Sequence, residues 1–452
     1  MAYWFSNKII LWSGIFCGGL YALVSFGVNL IDESKQPYFY LVVLFFLLYL
    51  NYFFLWKYFD PRNFPDKDLK AITIFFLFFV LVSIFLVPKA SGDFYHYVFE
   101  DAALVSYNQN PYLISPQELP TEPLSWLSNW RELPSQHGPF KFFLTPPAFY
   151  LSQGLIVPAI FIYKVLYAVF LIGSACLVYQ ILNHLNHPKK NLAFLLFAWN
   201  PLIIFTPAIS GGNDVLLLFW TLLAIFMALQ KKFYQATLFL TLSILTKYVT
   251  IVLLPIFFIY YLSSYKNFLK KAGELLKHLL IFSLTTLVLF WPFWQGPEIF
   301  DGLFWTANYF SNNSFPATLF LLLLITGLPV NIFLFKRIFE GIFIITYAVL
   351  SFKILLSKQI SKENFLAYLV LVMLLFIMLA KFWIFYKYFV WLIPLIYLLD
   401  KKYFFGGVFL TGLVVLGEVS LGYVAVLLIP SIIVFILHYV IVNKLKLLSF
   451  NG

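Results

Sequence analysis

Charge is scarce in this sequence. Only 11% of its 452 residues are Asp, Glu, Lys or Arg and 62% are hydrophobic, with a mean hydropathy of +0.90. Soluble domains are about a quarter charged, so this composition excludes a water-soluble globular protein and points to a polytopic membrane protein. Cysteine is nearly absent too. Cys17 and Cys176 both lie in apolar runs, which excludes a disulfide framework and a thiolate metal site. No His/Cys cluster has zinc-ligand spacing, and no Walker or G-x-G-x-x-G element occurs, so neither a metal nor a cofactor is expected. No polar stretch is long enough to hold a core of its own, so 1–452 reads as one integral membrane domain. The apolar start, 9–31, is too long for a signal peptide and reads as a first span. A net charge of +11 would suggest nucleic acid in a soluble protein. Here the lysines cluster in short connectors, where membrane lipids and orientation account for them, and no nucleic acid is expected.

Candidate spans are 9–31, 38–59, 70–88, 155–182, 192–208, 214–229, 233–247, 248–263, 278–294, 331–355, 364–380, 384–399, 404–420 and 423–442. Several fall short of the ~20 residues that a crossing needs, so about 11–14 transmembrane helices are expected in an all-α bundle. The positive-inside rule places the lysine-rich connectors in the cytoplasm, among them Lys189-Lys190, Lys231-Lys232, 266–277 and Lys401-Lys402. The opposite face then receives a polar loop at 89–141, Ser210 to Asp214, the turn near Lys247, and 295–330, which contains no Lys or Arg. Lys247 is left near the outer face, where a lysine needs an anionic partner or a snorkelling geometry. Lys336-Arg337 is cytoplasmic if 316–335 crosses the membrane, and on the outer, active face if instead 314–327 lies along the outer interface. The second placement also puts Lys353 to Lys362 inside and is preferred.

The loop 89–141 concentrates the titratable residues: Asp93, His96, Glu100, Asp101, Arg131, His137 and Lys141. Asp93 follows the third span, where partial desolvation would raise its pKa toward that of a useful general base. The bland reading is a capping Asp behind a turn-forming Gly. If 93–107 is helical, Asp93 and Glu100 share a face; a second acid there orients an acceptor, binds a metal or faces water. Arg131, His137 and Lys141 suit either phosphate oxygens or interfacial anchoring. Trp126, Trp130, Tyr95, Tyr97 and Tyr112 suit either a sugar-stacking surface or an aromatic belt.

Asp93 … Tyr97-Val98-Phe99-Glu100-Asp101-Ala102-Ala103 … Asn110-Pro111-Tyr112 … Gly138-Pro139 … Thr145-Pro146-Pro147 resembles the first large non-cytoplasmic loop of GT-C glycosyltransferases. The nearest type uses polyprenyl- or dolichyl-phosphate mannose, as do the glycosylphosphatidylinositol first mannosyltransferase and bacterial envelope mannosyltransferases. Asn200-Pro201-Leu202 … Ser210-Gly211-Gly212-Asn213-Asp214, Leu245-Thr246-Lys247-Tyr248 … Leu254-Pro255 and Lys387-Tyr388-Phe389-Val390-Trp391-Leu392-Ile393-Pro394 are similar to later family segments, in the same order. The resemblance implies inverting transfer of a sugar, mannose first, from a polyprenyl-phosphate donor to a glycolipid or glycan acceptor. The reaction would occur on the non-cytoplasmic face of a bacterial or archaeal plasma membrane, with Asp93 as base and no obligatory metal. Tyr95 stands where eukaryotic relatives carry the second acid of Asp-x-Asp. Lys247 would meet the donor phosphate. Asn213 and Asp214 would contact donor or acceptor, with His96, Tyr97, Glu100, Asp101, Arg131, His137, Lys141, Lys336, Arg337 and Lys387 as further binding candidates. The rival class is a transporter or flippase of lipid-linked sugars, but the internal repeat common in transporters is absent.

Overall fold

The computed structural model describes residues 2–27, 37–59, 66–87, 92–209, 211–309, 314–356, 359–383 and 386–420. The expected span 423–442 lies outside these residues. No strand occurs among them, as the all-α reading requires. Among the described residues, five helices are long and apolar enough to cross a bilayer: Lys8–Gly27, Ile156–His184, Phe268–Phe293, Ile332–Leu355 and Lys362–Ala380. Shorter apolar helices of 10–17 residues, such as Asp214–Leu229 and Phe233–Ile244, pack among them. The 268–293 and 332–355 helices turn large apolar side chains outward, including Leu284, Leu287, Val288, Ile344 and Ile345. Such faces suit hydrocarbon and would be costly in water. The chain is a polytopic membrane protein.

Several expected spans prove to be broken helices, each with a local cause. The stretch 192–208 divides into Lys190–Ala198 and Pro201–Ile209. At the break, the Asn200 side chain accepts from the amides of Leu202 and Ile203 at 2.9 and 3.3 Å, and Pro201 has no amide to satisfy. The Asn200 amide group donates to Tyr52 and Thr411 at 3.1 and 2.8 Å. It thereby ties helices from both ends of the sequence together. The pair 233–247 and 248–263 also differs from expectation. The first helix stops at Ile244, Lys247 is extended (φ −153°, ψ 121°), and a 3-10 turn over Tyr248–Leu253 precedes the Leu254–Leu262 helix. The 278–294 span begins earlier, at Phe268. Its first turns carry lysines on an amphipathic helix, which an apolar-run criterion cuts away. Finally, Phe315–Ile325 is an 11-residue helix, about 16 Å long, too short to cross. A separate helix begins at Ile332, which leaves Lys336-Arg337 in its first turns.

The polar loop is ordered around one helix, Gly92–Val105, close to the expected 93–107. Phe94, Val98, Phe99, Ala102 and Ala103 bury its apolar side in the main core. Short helical turns follow at Pro116–Glu118, Pro123–Leu127, Lys141–Leu144 and Pro146–Leu151. The loop docks on the break after Ile244: the amides of Gly138 and Phe140 donate to the carbonyls of Thr246 and Leu245 at 3.1 and 2.8 Å. A Cβ on Gly138 would collide with the Leu245 carbonyl, so this approach requires glycine. Gly211 has φ +54° and lies against the Phe94 ring, a conformation and a proximity that a side chain would oppose.

Candidate active site

Where the loop helix meets the membrane helices lies a cavity of about 90 Å³. Asp93, Tyr97 and His137 reach it from the loop. Lys247 and Tyr248 come from the broken middle helix, and Leu303 and Thr306 from the second outer segment. Lys381, Trp383, Lys387, Tyr388 and Trp391 close it from the C-terminal part. Four chain regions distant in sequence therefore build one wall.

Asp93 forms an ion pair with Lys387 and accepts from the Trp130 indole at 2.6 Å. Lys387 also donates to the Tyr97 hydroxyl at 3.1 Å. Burial alone would raise the Asp93 carboxyl, but Lys387, Trp130 and Lys247 together lower it from 3.8 to about 2. This corrects the expectation of a raised value: the interface does desolvate Asp93, and a cation from the other end of the chain outweighs that effect. Lys247 pairs with Asp214 at 2.8 Å, the anionic partner its depth demanded. The Trp391 indole donates to the same Asp214 oxygen at 2.8 Å. The Lys247 ammonium also lies over the Tyr388 and Trp391 rings at 5.6 and 5.3 Å, adding cation–π attraction.

Behind the helix lies a second, fully buried network. Lys141 bonds Glu100 at 2.5 Å and Asp101 at 3.3 Å, and donates to the Tyr97 carbonyl at 3.0 Å. His137 contacts Glu100 at 3.1 Å, and His96 approaches the same oxygen at 3.5 Å. Asp101 accepts from Thr145 and Tyr163 at 2.9 and 2.5 Å. Burial would raise Glu100, but Lys141 and His137 hold it below the usual range, whereas burial raises Asp101 and lowers His137. The helix thus sends Asp93 and Tyr97 to the cavity, and Glu100 and Asp101 into a buried seam between the loop and the Ile156–His184 helix. The shared face of Asp93 and Glu100 serves two different sites.

His137 borders both, its carbonyl held by the hydroxyls of Tyr112 and Tyr248 at 2.8 and 3.2 Å. Asn213 is buried at the start of the Asp214–Leu229 helix, its amide atoms without hydrogen-bond partners among the described residues. Arg131 stacks on the exposed Trp126 ring at 4.1 Å. Lys336 donates to the carbonyl of Ala307 and to Asn308, and Arg337 pairs with Glu340 at 2.8 Å on the surface. None of Asn213, Arg131, Lys336 and Arg337 lines the cavity. Residue-by-residue reading assigned no role to Tyr388, Trp391 or Trp383. The late aromatic motif around Trp391 was the signal available for the first two.

Comparison with known families decides the class. Residues 19–263 match the MptA/B family profile, described as Alpha-(1->6)-mannopyranosyltransferase, N-terminal domain. The chain belongs to this family. The match covers more than half of the sequence, including the loop helix, Asp214 and Lys247, and it ends before Lys381 and Lys387. No curated protein matches the chain. Family membership makes the protein a membrane-embedded glycosyltransferase of mannosyltransferase type, working with a sugar donor and a glycan acceptor.

Proposed function

We propose that this glycosyltransferase moves mannose, with inversion, from a polyprenyl-phosphate donor to a glycolipid or glycan acceptor at the non-cytoplasmic face, with Asp93 as base. The supporting observation is the cavity itself: one carboxylate and the ammonium groups of Lys247, Lys381 and Lys387 face a common space walled by aromatic rings. A donor of this class carries its leaving group at headgroup depth. The acceptor oxygen bonds to the anomeric carbon as its proton passes to Asp93. The carbon–oxygen bond to phosphate breaks, and its electron pair stays on the phosphate, which changes from a diester to a monoester. Fixed cations around that oxygen stabilise the growing charge without reorganisation.

Asp93 is a poor base while Lys387 holds it. As the departing phosphate gains charge it draws Lys387 away, which raises the proton affinity of Asp93, so basicity develops only as the donor reacts. Tyr97, His137 and the Lys247–Asp214 pair shape the wall, with Asn213 beside them at the helix start. Glu100, Asp101, Lys141 and His96 position the helix. Arg131, Lys336 and Arg337, outside the cavity, act as anchors.

The test is transfer of radiolabelled mannose from polyprenyl-phosphate mannose to extracted membrane glycolipids by purified protein. Asp93→Asn should lose roughly 10²–10⁴ in rate while remaining monodisperse in detergent. Equal transfer by both proteins would remove Asp93 from the mechanism.

A further inference from the structure

The charges facing the cavity do not cancel. Lys247 has Asp214 at 2.8 Å, and Lys387 has Asp93. Lys381 has neither. It stands just beyond the Lys362–Ala380 span, half-buried, with the Phe376 and Tyr388 rings 5.4 and 5.9 Å from its ammonium, and no carboxylate pairs with it among the described residues. Its charged neighbours are cations. Burial, then Lys247 and Lys336, bring its ammonium down to about 8. The surplus carboxylate of the buried network, Asp101, bonds Lys141, Thr145 and Tyr163 and does not line the cavity.

We propose that Lys381 is the binding residue for the phosphate group of a lipid-phosphate ligand, with Lys247 and Lys387 as flanking cations already matched by Asp214 and Asp93. This rests on the reading of the donor as a polyprenyl-phosphate sugar. A phosphodiester carries one negative charge, which the one unmatched cation among the described residues of the cavity balances. The balance also survives the reaction. As the phosphate gains a second negative charge, Asp93 takes up the acceptor's proton and loses its own, which releases Lys387 to the leaving phosphate. No charge has to enter or leave the site during transfer. The Tyr388 ring, which lies near the ammonium groups of both Lys247 and Lys381, fixes the spacing between the matched and unmatched cations.

The experiment measures binding of undecaprenyl phosphate, which has no sugar, to purified protein in nanodiscs. The proteins are the wild type, Lys381→Gln, Lys381→Arg and Lys247→Gln, with donor KM and kcat measured alongside. Loss of one charge-assisted contact should weaken Lys381→Gln roughly 10- to 100-fold. That loss should appear in donor KM more than in kcat, and Lys381→Arg should restore most of it. Wild-type affinity in Lys381→Gln, or an equal loss in Lys381→Arg, would overturn the assignment. So would a loss confined to Lys247→Gln, which would move the phosphate to that lysine. No binding by the wild type together with no turnover of polyprenyl-phosphate mannose would instead reject the lipid-phosphate donor, and this proposal with it.

Discussion

At Asp93, burial and a neighbouring ammonium pull in opposite directions, and the ammonium wins. The consequence for stability has a definite sign. A carboxyl held at about 2 when folded, against 3.8 otherwise, contributes stability that is complete above pH 3.8 and is lost as pH falls through 2. The magnitude is about 2 kcal/mol. The melting temperature of wild type should therefore exceed that of Asp93→Asn by a constant margin from pH 5 to 8, narrowing only in stronger acid. A margin that grows between pH 5 and 7 would show that Asp93 titrates there. The Glu100–Lys141 pair makes a harsher prediction. Both side chains are fully buried, so Glu100→Gln leaves an ammonium with one fewer carboxylate and should cost about 3–5 kcal/mol. Arg337→Ala, whose ion pair is exposed, should leave the melting temperature almost unchanged. Equal melting temperatures for the two variants would refute the positioning role of the network.

Among elements, the break after Ile244 matters most, because the polar loop hydrogen-bonds directly to it. Gly138→Ala puts a methyl group against the Leu245 carbonyl and should displace Lys247 along with the loop. Donor KM and thermal stability should worsen together; wild-type values in both would mean that the contact is dispensable. Much of this organisation was readable in the sequence. Lysine-rich connectors and long apolar runs placed most helices, and Gly92 and Asp93 marked the start of the loop helix, whereas the break at Asn200-Pro201 fell inside the expected span 192–208. The Asp93–Lys387 pair was not readable. It joins residues 294 apart, and neither spacing nor periodicity links such positions. Nor could local pattern show that Glu100 and Asp101 point inward, since an acidic pair on a polar loop ordinarily meets water. That depends on Lys141 and Tyr163 lying across from them.

For the whole molecule, lysine distribution predicts sidedness. Cysteines placed at the exposed positions Gln117 and Lys231 should react with a membrane-impermeant maleimide from opposite faces of sealed vesicles, Gln117→Cys from the non-cytoplasmic side. Labelling of both from one side would invert or break the topology. The pairing of Asp93 with Lys387 also bears on biosynthesis. A ribosome delivers Asp93 early and Lys387 only after most helices have been inserted. For most of translation the acid has no cation from the C-terminal part, and the cavity lacks the wall that Lys381, Trp383 and Trp391 provide. A polypeptide halted at the end of the family-matched region would hold Asp93, Asp214 and Lys247 without Lys381 and Lys387. On the proposed function, synthesis through Lys387 would therefore be the event that arms the site, and a copy halted before it would be inert toward the donor.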